Sequence, residues 1–285
     1  MKVLVTGVGG QLGYDICRVL AARGIDHCGA DIVDFDVRDA AATQQYIWAY
    51  HPDAVIHCSA WTAVDKAEDM KEQVRAVNTE GPRNIAKACK TISAKMMYIS
   101  TDYVFPGTGE RFYQPDDPTE PLGTYGKTKL GGELAVKELL EHFFIVRISW
   151  VFGKNGNNFV KTMLKLAESH AEINVVCDQI GSPTYTKDLA PLLCDMIQTE
   201  KYGIYHATNE GICSWAEFAQ EIFRLSGKNV VVHSIPTSLY PTKAVRPLNS
   251  RMSKDKLEEE GFSRLPHWKD ALARYLREIE RTSDS

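Results

Sequence analysis

Thr6-Gly7-Val8-Gly9-Gly10-Gln11-Leu12-Gly13 follows a β-rich run, Lys2–Thr6, and opens a segment from Leu12 to Arg23 with apolar residues at Leu12, Ile16, Val19 and Leu20. The change from strand-like to helical spacing across a glycine-rich loop predicts a strand–loop–helix unit. Gly7, Gly10 and Gly13 stand three apart. In such a unit the glycines give a tight turn, close approach of backbone to a pyrophosphate, and close packing of helix on strand. The helix N-terminus adds free N–H groups and the positive end of its dipole. The stretch therefore predicts a dinucleotide site at the first turn of a parallel sheet. Asp31, eighteen residues beyond Gly13, is placed to accept hydrogen bonds from the adenosine ribose, which favours NADH. Arg38 lies near and could offset repulsion of a 2′-phosphate, so NADPH and NADH both stay open.

Outward from this loop, strand and helix alternate. Asp26–Ala30, Ala54–His57, Lys95–Ile99 and Phe144–Ile148 read as strands. Val74 to Thr91 and Tyr125 to Glu141 read as helices. Alternation of this kind gives an α/β fold with a doubly wound parallel sheet, of Rossmann type. The later part is less regular, with helices over Asn158–Ser169, Lys187–Gln198 and Ser214 to Gly227, and strands at Ile173–Cys177, Gly203–Ala207 and Val230–Ile235. Ser214 and Glu217 fit a capping box. A last helix carries Trp268, Ala271, Leu272, Tyr275, Leu276 and Ile279 on one face, and the tail after Glu280 is expected to fray. The expected division is a dinucleotide-binding domain over 1–148 and a smaller mixed α/β C-terminal substrate domain over 149–285, with elements near 171–199 returning to the first. Pro106 to Gly123 is a long loop rich in Pro, Gly and Asp, which points to a functional loop.

Composition narrows the class. The 285 residues carry a net charge of -4, which offers no nucleic-acid or anionic-membrane footprint. No apolar run approaches the ~18 residues of a membrane span, and the N-terminus reads as a strand instead of a signal peptide. The seven cysteines are scattered without a C-x-x-C pair, against a disulfide framework or a zinc site. They are read as reduced and mostly buried, which suits a cytoplasmic protein.

The chemistry lies further along. Ser100-Thr101-Asp102-Tyr103 follows the fourth strand, and Tyr125-Gly126-Lys127-Thr128-Lys129 opens a helix. Tyr125 and Lys129 are four apart and share a helical face. A phenol normally titrates near ~10, and a cation alongside lowers that value. Lys129 is read in this role and as a holder of a cofactor ribose hydroxyl. Thr101 can hydrogen-bond the substrate oxygen or the phenol. Together with the glycine loop, this trio predicts hydride transfer to or from a carbonyl carbon, with Tyr125 passing the proton.

These motifs, with HCSAWTAVDKAE at His57–Glu68, YISTDYVFPGTG at Tyr98–Gly109, YGKTKLGGE at Tyr125–Glu133, RISWVFGKNGNNFVKTM at Arg147–Met163, DQIGSPT at Asp178–Thr184 and RPLNSRM at Arg246–Met252, cover most of the chain. It resembles the dTDP-4-dehydrorhamnose reductase family within the extended short-chain dehydrogenase/reductase superfamily. The resemblance implies reduction of a 4-keto sugar carried on dTDP, with NADPH or NADH as cofactor. It places Gln11 and Leu12 along the pyrophosphate, Asp36 and Val37 by the adenine, and Ala60, Trp61 and Thr62 along the cofactor. Val64, Thr101, Asp102, Trp150, Asn158 and Arg246 would meet the sugar nucleotide, and the second domain becomes a sugar-nucleotide-binding domain. Trp150 could instead be core, and Arg246 a surface ion-pair partner. Some members bind magnesium through carboxylates at a dimer contact. Asp15 fits one such position, but Lys187 stands where a second carboxylate is expected. No metal ligand is assigned, and a monomer or weak homodimer is expected.

Two alternatives stay in view. Dehydratases resembling this chain carry an Asp-Glu pair after the strand threonine, whereas Asp102 is followed by Tyr103; reductase/epimerases need a second acid–base residue, often Cys, and Cys58, at the end of the third strand, reads as core instead. A relative that serves as the regulatory subunit of methionine adenosyltransferase keeps the fold without catalysis, but the intact Thr101, Tyr125 and Lys129 argue against that reading.

Overall fold

The computed structural model describes residues 1–283. Among them, six strands form a parallel sheet: β1 (Lys2–Thr6), β2 (Asp26–Ala30), β3 (Ala54–His57), β4 (Lys95–Thr101), β5 (Phe143–Ile148) and β6 (Gly203–His206). Their spatial order is β6-β5-β4-β3-β1-β2, with every neighbouring pair parallel. Strand period two divides the buried residues between the faces. Val3, Val5, Ile56, Met97 and Val146 lie on one face under the helices Gln11–Ala22 and Thr186–Met196. Leu4, Val55, Met96 and Ile145 lie on the other under Ala40–Tyr50, Gly81–Thr91 and Thr124–Leu139. Burial on both faces is what the near-continuous apolar runs of these strands require.

The order reverses between β1 and β3, and ligands of such sheets bind in the crevice beyond the carboxyl ends of the strands at that point. The glycine loop leaves β1 there and Cys58–Thr62 leaves β3. The doubly wound sheet inferred from the sequence is the fold observed. Helix Ala40–Tyr50 has no counterpart in the sequence reading, because its apolar residues surround it without forming one stripe. Asp39 caps it by accepting from the N–H groups of Ala41 and Ala42.

The later elements depart from expectation in two respects. Glu172–Val176 pairs with Val231–Ile235 in its own two-stranded parallel sheet, so it does not return to the first domain. Helix Thr186–Met196 does return, through Leu189, Leu193 and Ile197, and β6, read within the second domain, is the edge strand of the main sheet. A separate core of Phe152, Tyr185, Phe218, Trp268 and Tyr275 holds the rest of the C-terminal half together. Its helix Trp215–Leu225 begins with the expected capping box. The last helix runs Trp268–Ser283, past the point where fraying was expected; Asp284 and Ser285 lie outside the described residues. All seven cysteines are free; Cys89, Cys194 and Cys213 are buried and the others half-buried.

Candidate active site

A cleft of about 970 Å³ runs over the carboxyl ends of β1, β3, β4 and β5. Its floor at one end is the glycine loop. Gly7 has φ +73°, and a Cβ there would stand 2.7 Å from the Ser59 nitrogen. A Cβ on Gly13 would stand 2.4 Å from the Gly7 carbonyl oxygen. Both positions therefore exclude side chains for reasons of backbone contact, and leave a bare backbone cradle facing the cleft, as a pyrophosphate needs. Gly13→Ala is expected to lower both stability and dinucleotide affinity, seen as a reduced thermal midpoint and a raised Kd for NADPH; an unchanged Kd would show that the loop does not need this packing.

Asp31 and Asp36 line the same end. One Asp31 oxygen accepts the Gly9 N–H at 2.7 Å and the other accepts the Ile32 N–H at 2.8 Å. Each carboxylate oxygen keeps acceptor capacity toward a ribose. Arg38, expected to be free to move toward a 2′-phosphate, lies in a two-pronged ion pair with Asp36, which holds the Asp36 carboxyl below its usual range. Gln11 is tied at 3.0 Å to Asn158. Asn158, expected at the substrate, also meets Gly153 and Tyr275 through its amide, and its oxygen caps helix Phe159–Leu166 through the Lys161 N–H. It supports the cleft from behind and is not among its lining residues.

Ala60, Trp61, Thr62 and Val64 line the middle of the cleft. Trp61 is fixed by Asn78, which accepts its N–H at 2.8 Å and donates to its carbonyl at 3.1 Å. Asn78 sits in a π-helical turn, Ala76–Glu80. The helix read as continuous from Val74 to Thr91 is thus interrupted, and the widened turn aims Asn78 inward. Nothing in the apolar spacing signals it.

Thr101, Tyr125 and Lys129 meet at the end of β4. The Lys129 ammonium is buried, donates to the Ile99 carbonyl at 2.7 Å, and lies 4.1 Å above the centre of the Tyr98 ring. Burial pushes its pKa down to about 7. This differs from the expected cation that depresses Tyr125. Burial holds the Tyr125 phenol above its ordinary value, the Thr101 hydroxyl pulls it back, and Asp102 and Tyr103 push it up. The phenol therefore keeps its proton at neutral pH, which is the state a proton donor requires.

At the other end, Asp102, Tyr103, Trp150 and Trp215 line the cleft. Trp150 has φ +50°, a strained value for an aromatic residue. It is held there between Trp215, stacked at 3.7 Å, and Gly181, where any Cβ would strike the indole at 2.9 Å. Trp215 was not singled out from the sequence, where it reads as the first residue of a capped helix. Arg246 pairs with Asp65 at 2.6 Å and reaches the Tyr103 hydroxyl at 3.5 Å, at the rim of the cleft. The Pro106–Gly123 loop is tied to the C-terminal strap: Tyr113 exchanges backbone bonds with Arg251 and Ser253, and Asn249 donates to the Gly107 carbonyl.

The residues do not fit a magnesium ion. Asp15 accepts the Thr186 hydroxyl at 2.5 Å, and the Lys187 ammonium stands 3.3 Å from Glu278. Among the described residues no group of three or more His, Cys, Asp or Glu side chains gathers to hold a metal, and no helix is long and apolar enough to cross a membrane.

Against known proteins, the family model for the RmlD substrate binding domain matches residues 1–281. The chain is 42% identical to the spore coat polysaccharide biosynthesis protein SpsK of Bacillus subtilis, over 99% of each chain. It is 41% identical to the dTDP-4-dehydrorhamnose reductase of Streptomyces griseus, over 94% of this chain and 91% of that one. The crystal structure of a dTDP-4-dehydrorhamnose reductase from Bacillus anthracis in complex with NADP is 41% identical and superposes with a TM-score of 0.95, over 98% of this chain and 100% of that one.

Proposed function

The chain belongs to the RmlD substrate binding domain family, with the dTDP-4-dehydrorhamnose reductases, and from that premise we propose that it reduces dTDP-4-dehydro-L-rhamnose to dTDP-L-rhamnose. It is an NAD(P)H-dependent oxidoreductase. The observation that supports the reading is the convergence of Thr101, Tyr125 and Lys129 in one cleft with the glycine cradle. When bound, the nicotinamide supplies a hydride to the sugar's carbon 4. Tyr125 gives its phenolic proton to the developing alkoxide on that carbon. Lys129 sits behind Tyr125 on the same helical face, where its ammonium can hold ribose hydroxyls. Gly7, Gly10, Gln11, Leu12 and Gly13 hold the pyrophosphate, Asp31, Asp36 and Val37 the adenosine, and Ala60, Trp61 and Thr62 the nicotinamide half. Val64, Asp102 and Trp150 face the sugar, and Arg246 turns from Asp65 to the nucleotide diphosphate, which needs a cation.

Residues 1–148, with β6 and helix Thr186–Met196, act as the dinucleotide-binding unit, and the remaining C-terminal elements close over the sugar nucleotide. A cytoplasmic monomer or weak homodimer completes the reading. Purified protein with dTDP-4-dehydro-L-rhamnose is expected to consume the near-ultraviolet absorbance of NADPH or NADH and to yield dTDP-L-rhamnose. No consumption with either cofactor would overturn the assignment. Asp31→Ala is expected to raise the Kd of NADH more than that of NADPH, since only NADH presents both ribose hydroxyls to a carboxylate. Equal weakening would mean that Asp31 serves the Gly9 N–H alone.

A further inference from the structure

Tyr125 stands in the least secure turn of its helix. It is the second residue of Thr124–Leu139, and the first N–H groups of a helix have no partner within it. The ladder begins where the Lys127 N–H reaches the Gly123 carbonyl at 3.0 Å. Gly123, the residue before the helix, has no side chain with which to cap it. The chain enters this turn from the long Pro106–Gly123 loop. Lys129 lies one turn further on, where its own bond to the Ile99 carbonyl secures it.

The missing cap comes from elsewhere in the chain. Glu68 directly follows the short helix Val64–Ala67. One of its carboxylate oxygens accepts the Thr124 N–H and the other accepts the Thr124 hydroxyl, each at 2.8 Å. A Cβ on Gly123 would stand 2.7 Å from the first of these oxygens, so the bare glycine leaves the carboxylate its place. Burial raises the Glu68 carboxyl, the two Thr124 bonds with Lys71 and Lys127 nearby lower it, and the balance lies below the ordinary glutamate range. Glu68 is therefore an anion at neutral pH, set against the positive end of the helix dipole. Its own segment is fixed, since Ala67 is fully buried and Val64 lines the cleft.

We propose that Glu68 is a positioning residue: it caps helix Thr124–Leu139 from the segment that follows β3, and so holds the turn carrying Tyr125 where the phenol meets the substrate carbonyl oxygen. The inference rests on the reductase reading for its substrate. It goes beyond that reading by assigning a task to a side chain that is not among those lining the cleft. Without the cap the first turn frays, and Tyr125 spends part of its time away from the oxygen it must protonate. Such placement is sensitive, since a displacement of about 1 Å can cost ~10²-fold in rate. Thr101 and Lys129 keep their own bonds to Asp102 and Ile99, so the binding of cofactor and sugar does not follow the cap.

The experiment compares wild type, Glu68→Ala, Glu68→Gln and Gly123→Ala by kcat, by KM for the dTDP-sugar and by the Kd of NADPH. It also reads the carbon-13 resonance of the Tyr125 phenolic carbon in the NADP-bound protein, assigned through its loss in Tyr125→Phe. Glu68→Ala is expected to lower kcat by about tenfold, part of the cost of a full 1 Å misplacement, with KM and Kd little changed. Glu68→Gln, whose amide oxygen still accepts the Thr124 N–H, recovers most of the loss. Gly123→Ala reaches the same bonds without touching either partner, because its methyl takes the place of the carboxylate oxygen, and it lowers kcat in the same way. In the Tyr125→Phe background Glu68→Ala leaves the residual single-turnover rate unchanged, since a residue that acts through the phenol has nothing left to place. A lowered thermal midpoint with unchanged kcat in Glu68→Ala would make the cap structural only and overturn the proposal. So would a rate loss that persists in full in the Tyr125→Phe background, or a raised KM with unchanged kcat, which would make Glu68 a sugar ligand. If wild type fails to reduce the dTDP-sugar, the reductase reading falls, and the proposal is decided without turnover. The Tyr125 resonance then shifts in Glu68→Ala and returns in Glu68→Gln if the cap places the phenol, and stays unmoved in both if it does not.

Discussion

Tyr125→Phe is expected to lower kcat by ~10²–10⁴-fold, the range that a positioned general acid contributes, while the Kd of NADPH stays close to that of wild type. The substitution removes one oxygen and keeps the ring. That ring meets Tyr103 edge-to-face at 5.3 Å, and phenylalanine preserves the contact, so the helix start should not shift. Cofactor affinity rests on the glycine cradle and the Asp31 end, which the substitution does not touch. Cofactor fluorescence titration and single-turnover absorbance separate the two quantities. Retained full turnover would remove Tyr125 from the chemistry and leave the buried phenol as packing.

The second large effect is expected away from the substrate. Arg147 and Glu133 form a two-pronged ion pair at 2.9 and 2.8 Å, each with 2% of its side chain exposed. Ser100 donates to the same Glu133 carboxylate at 2.5 Å, and Arg147 donates to the Pro115 carbonyl at 2.9 Å. Glu133→Leu leaves a buried guanidinium without its counterion, and such removal costs ~3–5 kcal/mol. The double variant Glu133→Leu/Arg147→Met strands no charge and should recover much of that loss, since replacing a whole buried pair by apolar groups is often near neutral. Urea unfolding reads both. A loss under ~1 kcal/mol in the single variant, the scale of an exposed pair, would mean that solvent reaches the pair. The pair also has a positional consequence. Tyr125, Lys129 and Glu133 follow at four-residue spacing along one helix, so the anchor at Glu133 fixes the rotation that presents Tyr125 to the cleft.

Much of this was legible in residue order because the first half states its physics locally. The glycine spacing, the strand–helix alternation and the Tyr125–Lys129 interval each follow from backbone geometry over a few residues. Asn78 was not legible, because its role depends on a widened helical turn that leaves the apolar spacing intact. Nor was the bond from Asn158 to Tyr275, which lies more than a hundred residues away. For Lys129, sequence gives the four-residue interval to Tyr125, while the depth at which it is buried, and the Ile99 carbonyl that accepts a hydrogen bond from it, belong to the folded sheet. The placement of β6 was missed for a similar reason, since four residues of strand pattern carry no information about which sheet they join.

That last placement has a consequence on the ribosome. β5 ends at Ile148, and its edge partner β6 begins only at Gly203. At a synthesis rate of ~5–20 residues per second, the nascent chain holds five strands with an uncovered backbone edge for roughly three to eleven seconds before the sixth exists. The covering helix Thr186–Met196 arrives in the same interval, so the part of that face which Gln11–Ala22 does not cover is exposed along with the edge. Slow translation over the codons for 149–206 should raise the demand for chaperones, and a circular permutation that begins at residue 149 would deliver the edge strand first.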